Sequence, residues 1–181
     1  IYNPNGSELY LLCPSENAVL VMDSTFETTA FIYGGVTRSN AFPVLDSARN
    51  RIYVAEGGVL RVLDCGSDSL ANVLSIPGID RAVSVLVPDV NKLFIFGNDG
   101  AGDSVYAYDC AGGGAQRILY LSDGVPCAVF DPHSGLVYFA CEDAPALRGL
   151  DPVTASVVRE LDLQYGGGST EGRMAVNPDM G

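Results

Sequence analysis

The sequence predicts an all-β fold built from four copies of one supersecondary unit, on three observations. An apolar segment ends in Asp four times, at Asp23, Asp64, Asp109 and Asp151, at intervals of 41, 45 and 42 residues. Such a period marks a repeat architecture. A second column runs in phase with the first: Tyr10, Tyr53, Phe94 and Tyr138, spaced by 43, 41 and 44. Each period also carries four short apolar runs, clearest in the last copy as VPCAVFD, LVYFAC, ALRGLD and SVVRELDL. Runs of about 5 to 7 residues rich in Val, Leu, Ile and aromatics, bounded by Gly, Pro, Asp, Asn or Ser, are strands rather than helices. Four strands in about 43 residues make the blade of a β-propeller. The expected architecture is four four-stranded antiparallel blades, closed as a four-bladed ring or part of a seven- or eight-bladed one.

The repeats fall at 1–35, 36–78, 79–124 and 125–168. Residues 169–181 then supply the inner strand of a further blade, or close the first one. In front of the Tyr column stands a turn slot holding Pro4, Ser47, Pro88 and Pro132, with Pro178 filling it a fifth time. Pro fixes φ at a turn entry, and a preceding Asp or Asn bonds back to the local backbone. Gly34 and Gly35, Gly78, Gly124 and Gly166 to Gly168 stand where one unit hands over to the next. No helix is expected. From Pro4 to Pro178 the chain covers four periods of 43.5 residues, so both ends stand at one phase. That phase fits ring closure through MAVNPD, and equally a piece of a larger ring. An opening on Ile1 inside a repeat, without an initiator Met, points to a processed product or a cut from something longer. Open end blades expose faces and edges that invite association with another copy.

Composition narrows the partners. Ten basic against 22 acidic residues give a net charge of −12, and Lys92 is the single lysine. No basic stripe exists to neutralise phosphates, so nucleic acid and anionic membranes are poor partners. No apolar run approaches the roughly 20 residues that cross a bilayer. Acidity of this size serves solubility.

Residues that look chemical are weighed against whatever fills their slot in the other copies. Cys13 and Cys141 share one slot and Cys65 and Cys110 another, while Cys127 is the odd fifth. None makes the close pairs of a zinc site, and His133 is the only histidine. Small core residues are the expectation; a disulfide between Cys65 and Cys110 needs Cα atoms within about 7 Å, closer than neighbouring blades bring such points. Asp131, His133 and Ser134 crowd one turn, DPHSG, too tight for the hydrogen-bond chain of a triad. GGGSTEG around Ser169 lacks the Gly-x-Ser-x-Gly spacing of a nucleophile elbow. The insertion GNDGAGDS, Gly97 to Ser104, sets Asp99 and Asp103 on a Gly-rich frame. Carboxylates there have the chemistry for Ca²⁺, without the ligand count of an EF-hand, and a mobile hairpin loop is the expectation. No catalytic, cofactor or metal residue is assigned.

The stretch VPCAVFDPHSGLVYFACEDAPALRGLDPVTASVVRELDL, from Val125 to Leu163, resembles the YVTN-type β-propeller repeat of bacterial and archaeal surface and secreted proteins. Its inner strand ends in Asp-Pro, a Tyr-bearing strand follows, and Asp151-Pro-Val-Thr154 fits the family's Asp-x-x-Thr turn. The other copies depart from it: Ser47 stands for the turn Pro, and Gly97 and Glu56 replace Cys13 and Cys141. The resemblance implies a propeller without a catalytic motif in its repeat. It implies a non-catalytic binding or structural module, extracellular, periplasmic or at the cell surface, offering loops to a protein or glycan. Its partners include self-association or the remaining blades of a larger ring. The alternative is a fragment of a propeller enzyme, a cofactor-bearing oxidoreductase or a hydrolase, whose active-site residues lie mostly outside this chain.

Overall fold

The structure is a computed structural model that describes residues 1–34, 36, 42–79, 81–98, 103–121, 124–141, 146–163 and 174–175, with backbone alone at Arg81 and Asn98. The described residues form four separate four-stranded antiparallel sheets, the blades of a β-propeller. Blade 1 comprises β1 (Tyr2–Asn3), β2 (Glu8–Cys13), β3 (Ala18–Met22) and β4 (Thr28–Tyr33). Blade 2 comprises β5 (Val44–Asp46), β6 (Arg51–Glu56), β7 (Val59–Asp64) and β8 (Ser69–Ser75). Blade 3 follows as β9 (Arg81–Val87), β10 (Lys92–Asn98), β11 (Asp103–Asp109) and β12 (Ala115–Leu121). Blade 4 ends the series with β13 (Ala128–Asp131), β14 (Leu136–Ala140), β15 (Ala146–Asp151) and β16 (Ser156–Asp162). Within each sheet sequential strands are neighbours, so every connection is a hairpin.

The turns repeat as faithfully as the strands. Between the first and second strands one residue takes a left-handed backbone: Ser7, Asn50, Asn91 or Gly135, with φ of 55°, 53°, 56° and 70°. Between the third and fourth strands the same conformation falls on Phe26, Asp68, Gly113 or Ala155. Only Gly, and less readily Asn or Asp, adopts it without steric cost, so Phe26 and Ala155 hold it because the hairpin demands it. Each blade also carries a register shift between its third and fourth strands, at Val21/Met22, Val62/Leu63, Val105/Tyr106 and Gly149/Leu150. A bulge adds local twist and bends the outer edge strand, which discourages edge-to-edge pairing.

One expectation is corrected. The chain was expected to hold no helix, yet Pro14–Glu16 and Pro88–Val90 each close one 3-10 turn. Proline at the first position supplies the φ, and Asn17 and Asn91 end the turns in the left-handed region. The Gly97 to Ser104 insertion, expected as a mobile hairpin loop, joins two paired strands: the β10–β11 ladder runs through Gly97↔Ser104 and Asn98↔Asp103, and residues 99–102 lie outside the described residues. The inner position of blade 1, assigned as one option to MAVNPD, is held by β1; residues 176–181 lie outside the described residues.

The chain divides into two compact units, Ile1–Ala82 and Val83–Gly181. In unit 1 one cluster joins Tyr10, Val19, Val21 and Ile32 of blade 1 to Ile52, Val54, Leu63 and Cys65 from blade 2. In unit 2 Phe94, Phe96 and Val105 of blade 3 meet Val137, Phe139, Cys141 and Leu150 of blade 4. Both seams obey one rule. The face bearing the Tyr-column residue, here called the back, meets the opposite face, the front, of the next blade.

Candidate functional site

The four punctuating aspartates are turn-formers. Asp23 Oδ1 accepts from the Thr25 amide (2.8 Å), the Thr25 hydroxyl (2.7 Å) and the Glu27 amide (3.1 Å). Asp64 Oδ1 accepts from the amides of Gly66 and Ser67 and from the Ser67 hydroxyl. Asp109 Oδ1 takes the Ala111 amide, and Asp151 Oδ1 those of Val153 and Thr154. A carboxylate that accepts several N–H or O–H groups is favoured in its charged form. The Thr25 hydroxyl accordingly holds Asp23 below the usual carboxylate range, and the Val153 amide does the same for Asp151.

Asp131, His133 and Ser134 form the turn anticipated from their spacing. Asp131 accepts from the amides of His133 and Ser134 and from the Ser134 hydroxyl at 2.6 Å. That hydroxyl, the leading cause, keeps the Asp131 carboxyl low. Serine therefore donates to aspartate, and no Ser-to-His bond of a triad is made. The five cysteines are free thiols; Cys65, Cys110, Cys127 and Cys141 are buried, and burial pushes the Cys65 and Cys127 thiols up, away from the reactive thiolate. Asp103 is buried and its Oδ2 accepts the Val125 amide, so it ties the β10–β11 hairpin to the approach to blade 4. Asp99 and Ser169, with Gly166 to Gly168, lie outside the described residues. No cluster of three metal-ligating side chains occurs among the described residues.

Two polar arrangements went unseen in the sequence. The buried Tyr10 hydroxyl lies 2.9 Å from both Glu8 Oε2 and Asp68 Oδ1, and 3.4 Å from the Cys65 carbonyl. It has one hydrogen, so it donates to one carboxylate at a time. Burial first, then the Asp68 bond, pushes its ionisation far up, and it stays a neutral donor. Nearby, Arg61 donates through Nε to the Gly34 carbonyl (2.6 Å) and pairs through Nη1 with buried Glu56 (3.0 Å). Both bridge blade 1 to blade 2. A column comparison exposes Tyr10 but not its partners, because Asp68 is 58 residues away and meets it only across the seam.

The surfaces that stand apart are two blade faces. The front of blade 1 presents Leu9, Leu11, Leu20, Met22, Phe31 and Tyr33, of which Phe31 is 51% and Tyr33 69% exposed. Their rings stack, with centroids 6.1 Å apart at 17°. Along the outer strand of blade 4 runs a concavity of about 590 Å³ lined by Tyr138, Leu147, Val158, Arg159, Glu160 and Leu161. Gly149 stands opposite Tyr138 where blades 1 and 2 put Val21 and Val62. A Cβ there would come within 3.3 Å of the Tyr138 ring, so the glycine lets that ring lie low. Arg159 Nη1 donates to the Tyr138 hydroxyl at 3.3 Å. The fourth-strand sequences held the signal for these faces: TTAFIY in blade 1 against SLANVLS and SVVRELD.

No protein-family model matches the chain, and no curated protein matches its sequence. By structure, 635 solved chains resemble it, so the fold is widely shared and selects no activity. Among them is Dihydro-heme d1 dehydrogenase NirN in complex with DHE, a β-propeller, which superposes with a TM-score of 0.70 at 18% identity. The likeness covers 90% of this chain and 36% of that one, so the chain spans about a third of that protein's length. At that identity the likeness shows the fold alone.

Proposed function

We propose that this chain is a run of blades from a secreted or surface β-propeller of the YVTN-repeat type, serving as a non-catalytic binding or structural module. One observation carries the reading. The chemistry-bearing residues that the sequence singles out and the structure describes are committed to the scaffold: Asp23, Asp64, Asp109, Asp131 and Asp151 to turns, Asp103 to a strut, and most thiols to buried positions. Repeat physics then leaves the blade-connecting loops free to vary and to meet a protein or glycan. The net charge of −12 suits a soluble surface domain and opposes a nucleic-acid partner.

The experiment is a binding panel with the purified chain, glycans and cell-surface proteins, run beside an absorbance spectrum and elemental analysis. Saturable binding by chain that carries no chromophore supports the module. A stoichiometric haem, quinone or metal, or turnover of lactone substrates, overturns it in favour of a piece of a propeller oxidoreductase or hydrolase.

A further inference from the structure

The turn that joins β1 to β2 holds the chain's single Asn-Gly step, Asn5-Gly6. The other blades fill those two places with Ala48 and Arg49, Asp89 and Val90, and His133 and Ser134. Ala48 is exposed although blade 1 precedes it, and Asp89 and His133 are exposed as well, so the exposure of Asn5 is a property of the turn. What blade 1 adds is a tie across blades. Asn5 Nδ2 donates to the Ser47 carbonyl at 2.5 Å, in the matching turn of blade 2, and the Asn5 amide donates to Oδ1 of buried Asn3 at 3.2 Å. Asn3 in turn donates to Asn50 at 2.8 Å. Gly6 has its own packing reason. A Cβ there would stand 2.5 Å from Glu8 Oε2, the oxygen that lies 2.9 Å from the Tyr10 hydroxyl, so any other residue displaces that carboxylate.

A glycine leaves its amide nitrogen without a neighbouring Cβ, and an asparagine just before it carries an amide carbon within reach of that nitrogen. We propose that Asn5 is a site of covalent self-modification, in which the Gly6 nitrogen attacks Asn5 Cγ and the atom that ties blade 1 to Ser47 leaves as ammonia. The N–Cγ bond forms as the Cγ–Nδ2 bond breaks, and the Gly6 amide proton departs with the ammonia. Water then opens the cyclic imide, at Cγ to give aspartate or at the Asn5 main-chain carbonyl to give isoaspartate. Neither step exchanges electrons. Neither product keeps the donor to Ser47, and each adds a negative charge to a chain already at −12. A carboxylate turned toward a carbonyl oxygen is repelled where the amide was bound. Isoaspartate also lengthens the main chain by one methylene in a turn where Ser7 already holds a left-handed φ of 55°. The tie to Ser47 slows ring closure without forbidding it, because exposed turn tips open locally at little cost.

The inference uses the turn alone and is independent of the binding role proposed above. The test is incubation of the folded 181-residue chain at physiological temperature and mildly alkaline pH, followed by peptide mass mapping. A synthetic peptide of residues 1–9, incubated alongside, serves as the clock for the unrestrained reaction. The segment bearing Asn5 is expected to gain about 1 Da, at a rate within about tenfold of that clock and ahead of every segment bearing another asparagine. Gly6→Ala is expected to slow the conversion several-fold, because the added Cβ crowds the attacking nitrogen. Asn5→Asp carries the aspartyl product from the start, and circular dichroism checks that it folds. It is expected to raise amide exchange several-fold in the turn from Asp46 to Arg51 while β13 to β16 keep theirs. A folded chain with no conversion at Asn5 by the time the peptide is spent overturns the proposal, as does conversion led by another asparagine. Gly6→Ala converting as fast as the wild type overturns the ring-closing route, and unchanged exchange in Asn5→Asp overturns the coupling to blade 2.

Discussion

Blades 1 and 2 meet through a side-chain polar network set in an apolar cluster, whereas blades 3 and 4 set an aromatic cluster beside two ties to backbone, the Val125 amide on Asp103 and the Lys92 ammonium on the Pro152 carbonyl at 3.3 Å. In the first, Tyr10 reaches Glu8, Asp68 and the Cys65 carbonyl, Arg61 spans Glu56 and Gly34, and Asn3 donates to Asn50 at 2.8 Å. In the second, Phe94 fills the Tyr10 position, and Phe96 and Phe139 pack with ring centroids 5.2 Å apart. The strand register is the same. Repeat position therefore sets which faces meet, and the residues in the slots choose the chemistry that holds them. A polar seam gains directionality but depends on every partner, because a buried polar group left alone costs more than its bond contributed. An aromatic seam tolerates small shifts but not a lost ring.

Four experiments test that contrast. Phe139→Ala is expected to do most damage, about 3 to 5 kcal/mol, since it deletes a fully buried ring from the unit 2 cluster. Denaturant titration with hydrogen exchange checks it, and β13 to β15 should lose protection while β1 to β8 keep theirs. Tyr10→Phe comes next at about 1 to 3 kcal/mol, because Glu8 and Asp68 lose their shared donor. A neutral result in the same titration would reduce the polar seam to decoration.

Ala155→Gly is expected to stabilise unit 2 by about 1 kcal/mol, read as a higher Tm, because a left-handed residue at φ 56° sheds its Cβ clash. The smallest effect is electrostatic. Asp23, Asp131 and Asp151 are held low in the folded chain, so their contribution is present above the unfolded value of about 3.9 and disappears as pH falls through the lower folded values. Asp131 and Asp151 belong to unit 2 and Asp23 to unit 1. Protection in unit 2 should therefore fall further between pH 5 and pH 2.5, roughly the range over which carboxylates titrate. Asn at positions 131 and 151 should flatten that slope.

Much of the fold was legible before any coordinates. The Asp23, Asp64, Asp109 and Asp151 spacing reports a turn whose carboxylate closes on the amide two residues ahead, a purely local contact. Alternating strands read equally well, since burial follows the side-chain period of two. The hairpin at Gly97 to Ser104 was legible from the apolar runs on either side of it, but how far its ladder extends, to Asn98↔Asp103, shows only in the cross-strand register. Of the candidate faces nothing was foreseen beyond their existence at the end blades. Phe31 and Tyr33 look like any strand aromatics until the register shows that their side has no neighbouring blade within unit 1.

By itself the sequence determined the repeat, its four-stranded unit and the dismissal of the Asp131, His133 and Ser134 turn as a triad, because each depends on contacts within a few residues. Only the tertiary structure decided what crosses the seams: the Tyr10 hydroxyl between two carboxylates, the Arg61 bridge and the buried strut at Asp103. Those depend on residues brought together from distant positions, and the chain order alone does not specify which face of a strand will meet them.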